Sequence, residues 1–110
     1  MMWFRQPRKK PEKTGAQRLI NLMRSEGWKC RRLNVSAGIY STPGFPDYFC
    51  THYKYGQRWI ETKALGMKLR QEQAEFARDC EVANIGVWVC HDEKDYQLLF
   101  EKPNWWRFLK

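Results

Sequence analysis

A chain of 110 residues with a net charge of +8, 43% hydrophobic and 29% charged, is long enough to bury one core without disulfide or metal staples, and too apolar for wholesale disorder. No run approaches the ~18 apolar residues of a membrane span, and the first ten residues contain no apolar core of signal-peptide length, so a soluble, intracellular (cytoplasmic) domain without a membrane partner is expected. Cys30, Cys50, Cys80 and Cys90 lie far apart with no Cys-x-x-Cys pair, and are expected to be reduced, buried thiols.

In chain order, residues 1–13 form a basic arm with Pro7, Pro11 and the run Arg8-Lys9-Lys10. Thr14, with Gln17 three residues on, opens a helix whose apolar positions are Ala16, Leu19, Ile20 and Met23, and Gly27 ends it. Trp28 to Val35 reads as a first strand and Ser36 to Gly44 as a loop. Asp47 to Tyr53 reads as a second strand, Lys54 to Gln57 as a turn and Arg58 to Lys63 as a third strand, together a meander. Residues 68–84 have helical spacing through Leu69, Phe76, Ala77, Cys80 and Ala83. The continuous apolar run Val87-Trp88-Val89-Cys90 predicts a strand buried on both faces and parallel to the third. A short helix over 92–100 follows, and residues 103–110, with Trp105, Trp106 and Phe108, are an aromatic tail of unassigned structure.

The expected fold is therefore α/β, a single domain with a central mixed sheet flanked by helices in the order helix, three strands, helix, strand. The positive charge is uneven. Ten Lys and Arg lie in residues 1–32 against only Glu12 and Glu26, and the rest of the chain balances. Such an end suits a polyanion such as nucleic acid, because neutralised phosphates release counterions; a solvated, solubilising face is the equally weighted alternative. Arg8, Lys9, Lys10, Arg31 and Arg32 are the candidate DNA contacts.

Side chains alternate along a strand, so Trp59, Glu61 and Lys63 share one face of the third strand. Asp47 opens its neighbour, and if the two strands pair, its carboxylate approaches Glu61. Two adjacent carboxylates repel unless a cation lies between them, and Mg²⁺ favours one or two carboxylates with water and phosphate oxygens. A lysine beside them can hold a water or offset charge on a phosphoryl group, so the cluster points to phosphodiester hydrolysis.

Gly44-Phe45-Pro46-Asp47, then Trp59-Ile60-Glu61-Thr62-Lys63, then Leu69-Arg70-Gln71-Glu72-Gln73 and Gly86-Val87-Trp88-Val89 resemble the PD-(D/E)XK nuclease superfamily, and within it the virus-type replication-repair nuclease (VRR-NUC) domain. The resemblance runs from about Thr14 to Cys90 and places such a domain over 14–102 with a restriction-endonuclease-like core. It implies Mg²⁺ or Mn²⁺ held by Asp47, Glu61 and the Thr62 carbonyl, with Lys63 as catalytic lysine and Gln73 lining the site. Stand-alone domains of the family are similar to Holliday junction resolvases, which implies branched or structured DNA as substrate. The family's first-helix glutamate is missing; Gln17, or Glu12 upstream, stands in its place.

Gln17 is read equally as a helix cap, and Gln73, on a stripe facing the sheet, needs a buried partner. His52 and His91 are read as ordinary histidines near strand ends. A homodimer is expected from the two-fold symmetry of a four-way junction, with Trp105, Trp106, Phe108 and Leu109, together with Trp3 and Phe4, as its contact surface. The rival readings are an inactive nucleic-acid-binding module of the same fold and a subunit serving assembly alone.

Overall fold

In the computed structural model the described residues are 14–33 and 44–110. They contain α1 (Gly15–Ser25), β1 (Lys29–Arg32), β2 (Tyr48–His52), β3 (Gly56–Thr62), α2 (Gln71–Val82) and β4 (Val87–Cys90), then two 3-10 turns, Glu93–Phe100 and Trp105–Phe108. The sheet is mixed, with order β1-β2-β3-β4: β1–β2 and β2–β3 are antiparallel, and β3–β4 is parallel. The α/β class, the element order and the parallel return of β4 all match the sequence reading. No helix among the described residues is long and apolar enough to cross a membrane.

Alternation along the strands divides the core into two layers. Ile60, Tyr48, Cys50, Trp88 and Cys90 face α1, where they meet Leu19, Ile20 and Met23. Val87 and Val89 face α2 and pack with Leu69, Ala77 and Cys80, while Trp59 lies against Phe49 and Phe76. Thr14 caps α1 with both halves of a capping box: its hydroxyl accepts from Gln17 N, and Gln17 Oε1 accepts from Thr14 N. A Cβ on Gly15 would stand 2.5 Å from the His91 carbonyl, so this glycine lets the start of α1 approach the end of β4.

α2 starts at Gln71, later than the sequence pattern alone suggests. Leu69 lies before the helix, its N–H donating to the Phe108 carbonyl at 2.8 Å, and Arg70 is the N-cap in a β conformation. At Gly44 the backbone is left-handed (φ +89°) and a Cβ would collide with the Glu72 carbonyl, so the chain entering β2 lies directly against the first turn of α2.

The aromatic tail does not lie outside the domain. Trp105 is 5% exposed in the α2 layer, and Phe108 packs beside it. Buried Asn104 fixes this segment to the free edge of β4: its Oδ1 accepts from Val89 N (2.8 Å) and its Nδ2 donates to Val89 O (2.9 Å). The segment 103–110, unassigned from the sequence, packs on the domain because one amide side chain completes both hydrogen bonds of an edge residue and draws its neighbours inward. Trp106 (55% exposed) and Leu109 (37%) stay at the surface.

Candidate metal and active site

The register of β2 against β3 positions the acids. Tyr48 pairs with Ile60, so one step outward Asp47 stands across from Glu61. Asp47 Oδ2 accepts the Thr62 N–H (2.8 Å) and the Thr62 hydroxyl (2.6 Å), which fixes its carboxylate over the end of β3. In an extended strand a residue's N–H and carbonyl point to the same side, so the Thr62 carbonyl is also directed toward β2. The same register brings Pro46 opposite Thr62, and proline has no N–H to offer. An oxygen without its ladder donor thus lies beside the two carboxylates.

Glu61 is 4% exposed. Gln73 Nε2 donates to Glu61 Oε1 at 2.9 Å, while Gln73 Oε1 accepts from Arg70 N at 2.9 Å. The first turn of α2 therefore locks the amide, and the amide orients the acid. Lys63 Nζ lies 4.0 Å from the same Glu61 oxygen, at the outer limit of an ion pair. Burial pushes the Glu61 carboxyl up to about 8, repulsion from Asp47 and a hydrogen bond shared with it add to this, and Lys63 and Arg70 oppose it.

Metal-free, burial and the neighbouring Asp47 carboxylate favour a proton on Glu61. A divalent cation would take the place of that proton, and hard oxygen donors of this kind suit Mg²⁺ or Mn²⁺. The residues present fit such an ion as two carboxylates and one carbonyl. Among the described residues, no group of three His, Cys, Asp or Glu side chains converges.

The structure brings together Asp47, Glu61, Thr62, Lys63 and Gln73. Gln17 is the cap foreseen for it and also borders a hollow of about 170 Å³ with Asp47, Thr62 and Arg32. That hollow shares Gln17, Arg32 and Tyr48 with one of about 370 Å³ reaching Asn21 and Arg24, and shares Thr14, Ala16 and Thr62 with one of about 200 Å³ reaching Lys63 and His91. The three form a cleft beside α1 that passes Asp47. Of the candidate DNA contacts, Arg31 and Arg32 are exposed on β1. Arg32 pairs with Tyr48 and lines the cleft, whereas Arg31 pairs with Phe49 and faces the α2 side, so the two do not share one surface. Arg8, Lys9, Lys10 and Glu12 lie outside the described residues.

His91, an ordinary histidine near a strand end on the sequence reading, lies beside the end of β3. Its Nδ1 lies 2.6 Å from the Lys63 carbonyl; a carbonyl cannot donate, so Nδ1 carries the proton of this bond. The signal was its place one residue past β4, which the parallel crossover brings beside the end of β3. His52, in contrast, is a core histidine, its Nε2 against the Glu26 carbonyl and its ring on Trp28 and Tyr55.

Comparison with protein-family models, with curated proteins and with solved structures finds no match for this chain.

Proposed function

We propose that the chain is a metal-dependent DNA endonuclease of the PD-(D/E)XK type, with a VRR-NUC-like domain and a restriction-endonuclease-like core. The observation that carries this reading is the convergence of Asp47 and Glu61 across β2 and β3, with Lys63 one strand repeat beyond Glu61. Asp47, Glu61 and the Thr62 carbonyl would hold Mg²⁺ or Mn²⁺, which supplies Lewis-acid polarisation of a phosphodiester and a more acidic bound water.

The remaining work falls to the chain's own side chains. Gln73 keeps the Glu61 carboxylate oriented, and Thr62 does the same for Asp47. Lys63, not clamped by Glu61, is free to place its ammonium against a phosphate oxygen or an attacking water. The cleft beside α1, with Arg32 and Arg24 at one end and Lys63 and His91 at the other, gives a phosphate backbone a path past Asp47. Branched or structured DNA, such as a Holliday junction, is the proposed substrate, and a homodimer the proposed active form.

The test is cleavage of a four-way junction, a flap, linear duplex and single strand, each with Mg²⁺ and with chelator. Metal-dependent cutting that Asp47→Ala abolishes is expected. If DNA binds and no substrate is cut in Mg²⁺ or Mn²⁺, the chain is instead an inactive binding module of this fold.

A further inference from the structure

The β1–β2 register pairs Cys30 with Cys50, and both thiols point to the α1 layer. The type of pair matters. Leu33 N donates to Asp47 O at 2.7 Å, which makes 33–47 a hydrogen-bonded pair one step beyond the last register pair, Arg32 with Tyr48. Hydrogen-bonded and non-hydrogen-bonded pairs alternate in an antiparallel ladder. Counting back from 33–47, Arg32–Tyr48 is non-hydrogen-bonded, Arg31–Phe49 hydrogen-bonded and Cys30–Cys50 non-hydrogen-bonded. That pair type has its Cα atoms ~4.5 Å apart and its side chains closest, inside the Cα range that a disulfide spans.

We propose that Cys30 and Cys50 are a redox-active pair that hydroperoxides convert to an intramolecular cross-strand disulfide. Cys30 is the attacking thiol. It is partly exposed, whereas Cys50 is fully buried. A hydrogen bond from the Cys50 thiol and the nearby Arg24 guanidinium favour the Cys30 thiolate against the opposing effect of burial, and the Cys50 thiol is correspondingly pushed up. Arg24 is held in place by its own bond to the Cys30 carbonyl at 3.0 Å.

The chemistry balances in two steps. The Cys30 thiolate attacks the terminal oxygen of the hydroperoxide, the O–O bond breaks, and the alkoxide or hydroxide leaves and takes up the thiol's proton, which gives Cys30 sulfenic acid and an alcohol or water. The Cys50 sulfur then attacks the sulfenic sulfur; the S–O bond breaks, an S–S bond forms, and the departing hydroxide takes the Cys50 proton as water. The dithiol loses two electrons and the hydroperoxide gains them. This pair lies on the opposite layer from Glu61 and does not depend on the nuclease reading.

The 110-residue chain is treated with hydrogen peroxide, quenched with N-ethylmaleimide and mapped by mass spectrometry. A Cys30–Cys50 cross-linked peptide is expected, lighter than its two parts by two hydrogens, with monomeric protein and reversal by dithiothreitol. In the untreated protein Cys30 should alkylate at least ~10-fold faster than Cys50. Cys50→Ala should leave a sulfenic acid at Cys30 that dimedone traps, and Cys30→Ser should show neither product. Because these variants can fold poorly, the parent protein decides: Cys30 alkylating after peroxide as fully as before, or linking to a second chain instead of to Cys50, overturns the proposal.

Discussion

Gln73 and Glu61 are joined at 2.9 Å by a hydrogen bond between two almost fully buried side chains, one on the first turn of α2 and the other on β3. The amide is engaged at both ends, because its oxygen is already taken by Arg70 N. Gln73→Ala should therefore lower single-turnover DNA cleavage by ~10–100-fold, the usual effect of losing the partner that orients a metal ligand. It should also cost ~1–3 kcal/mol of stability, because a buried acceptor and a backbone donor are left unpaired. Unchanged cleavage with lowered stability would confine Gln73 to a structural part.

The raised Glu61 carboxyl sets a pH dependence for the metal-free protein. Folded, it titrates at about 8 against 4.5 for the ordinary group, so between those values the folded state holds a proton that the unfolded state has released. Stability in chelator should then be greatest below about pH 4.5 as far as this group is concerned, decline as pH rises toward 8, and level off above it. Glu61→Gln removes the titration and keeps an acceptor for Gln73. Urea unfolding at several pH values should show a flatter profile in that variant than in the parent; parallel profiles would show that Glu61 is not protonated in the folded state.

On the proposed function, Asp47→Ala should reduce cleavage at least ~100-fold, since losing the proposed metal ligand would remove several kcal/mol of transition-state stabilisation. In chelator the variant should bind DNA as tightly as the parent or more so, because a negative charge facing phosphate is gone. Normal cutting by this variant would remove Asp47 from the site.

For Lys63→Ala, chemistry should suffer more than metal affinity. Calorimetric titration with Mn²⁺ is expected to give a Kd within about tenfold of the parent, ~1.4 kcal/mol, while single-turnover cutting collapses. Complete loss of metal binding in a folded variant would mean that the ammonium organises the carboxylates instead.

Asn104→Ala should destabilise the fold by ~2–4 kcal/mol, leaving both Val89 backbone groups without their side-chain partner and loosening Trp105. Deleting residues 104–110 is expected to unfold the α2 layer, so it cannot report on association. The proposed dimer is better probed by Trp106→Ala with Leu109→Ala, two exposed positions. Sedimentation equilibrium should move from about twice the chain mass toward monomer; a parent that is already monomeric with DNA bound would end the dimer reading.

The elements were legible where local pattern and tertiary role agree. Thr14 and Gln17 announce the start of α1, alternation puts Glu61 and Lys63 on one face, and the unbroken Val87–Cys90 run declares a strand covered on both sides. What required the fold was information carried between distant segments. Nothing local to Asn104 shows that it will serve β4, and nothing local to His91 shows that a parallel crossover will bring it to the Lys63 carbonyl. Sequence pattern marks each cysteine singly as a core hydrophobe, and only the β1–β2 register turns two of them into neighbours. Arg31 and Arg32 looked like one basic patch, yet strand alternation sends them to opposite layers.

On the outer side of β4, Asn104 occupies both Val89 groups and the Asp95 carboxylate accepts the next outward amide, that of His91, at 2.7 Å. A foreign strand arriving there meets these hydrogen-bonding groups already engaged, and among the described residues the other outer strand is β1. On that rim the strand is Lys29-Cys30-Arg31-Arg32, and two copies aligned edge to edge would set like charges against each other. One margin is occupied and the other electrostatically repels its own kind, which guards a short four-stranded sheet against self-templated aggregation.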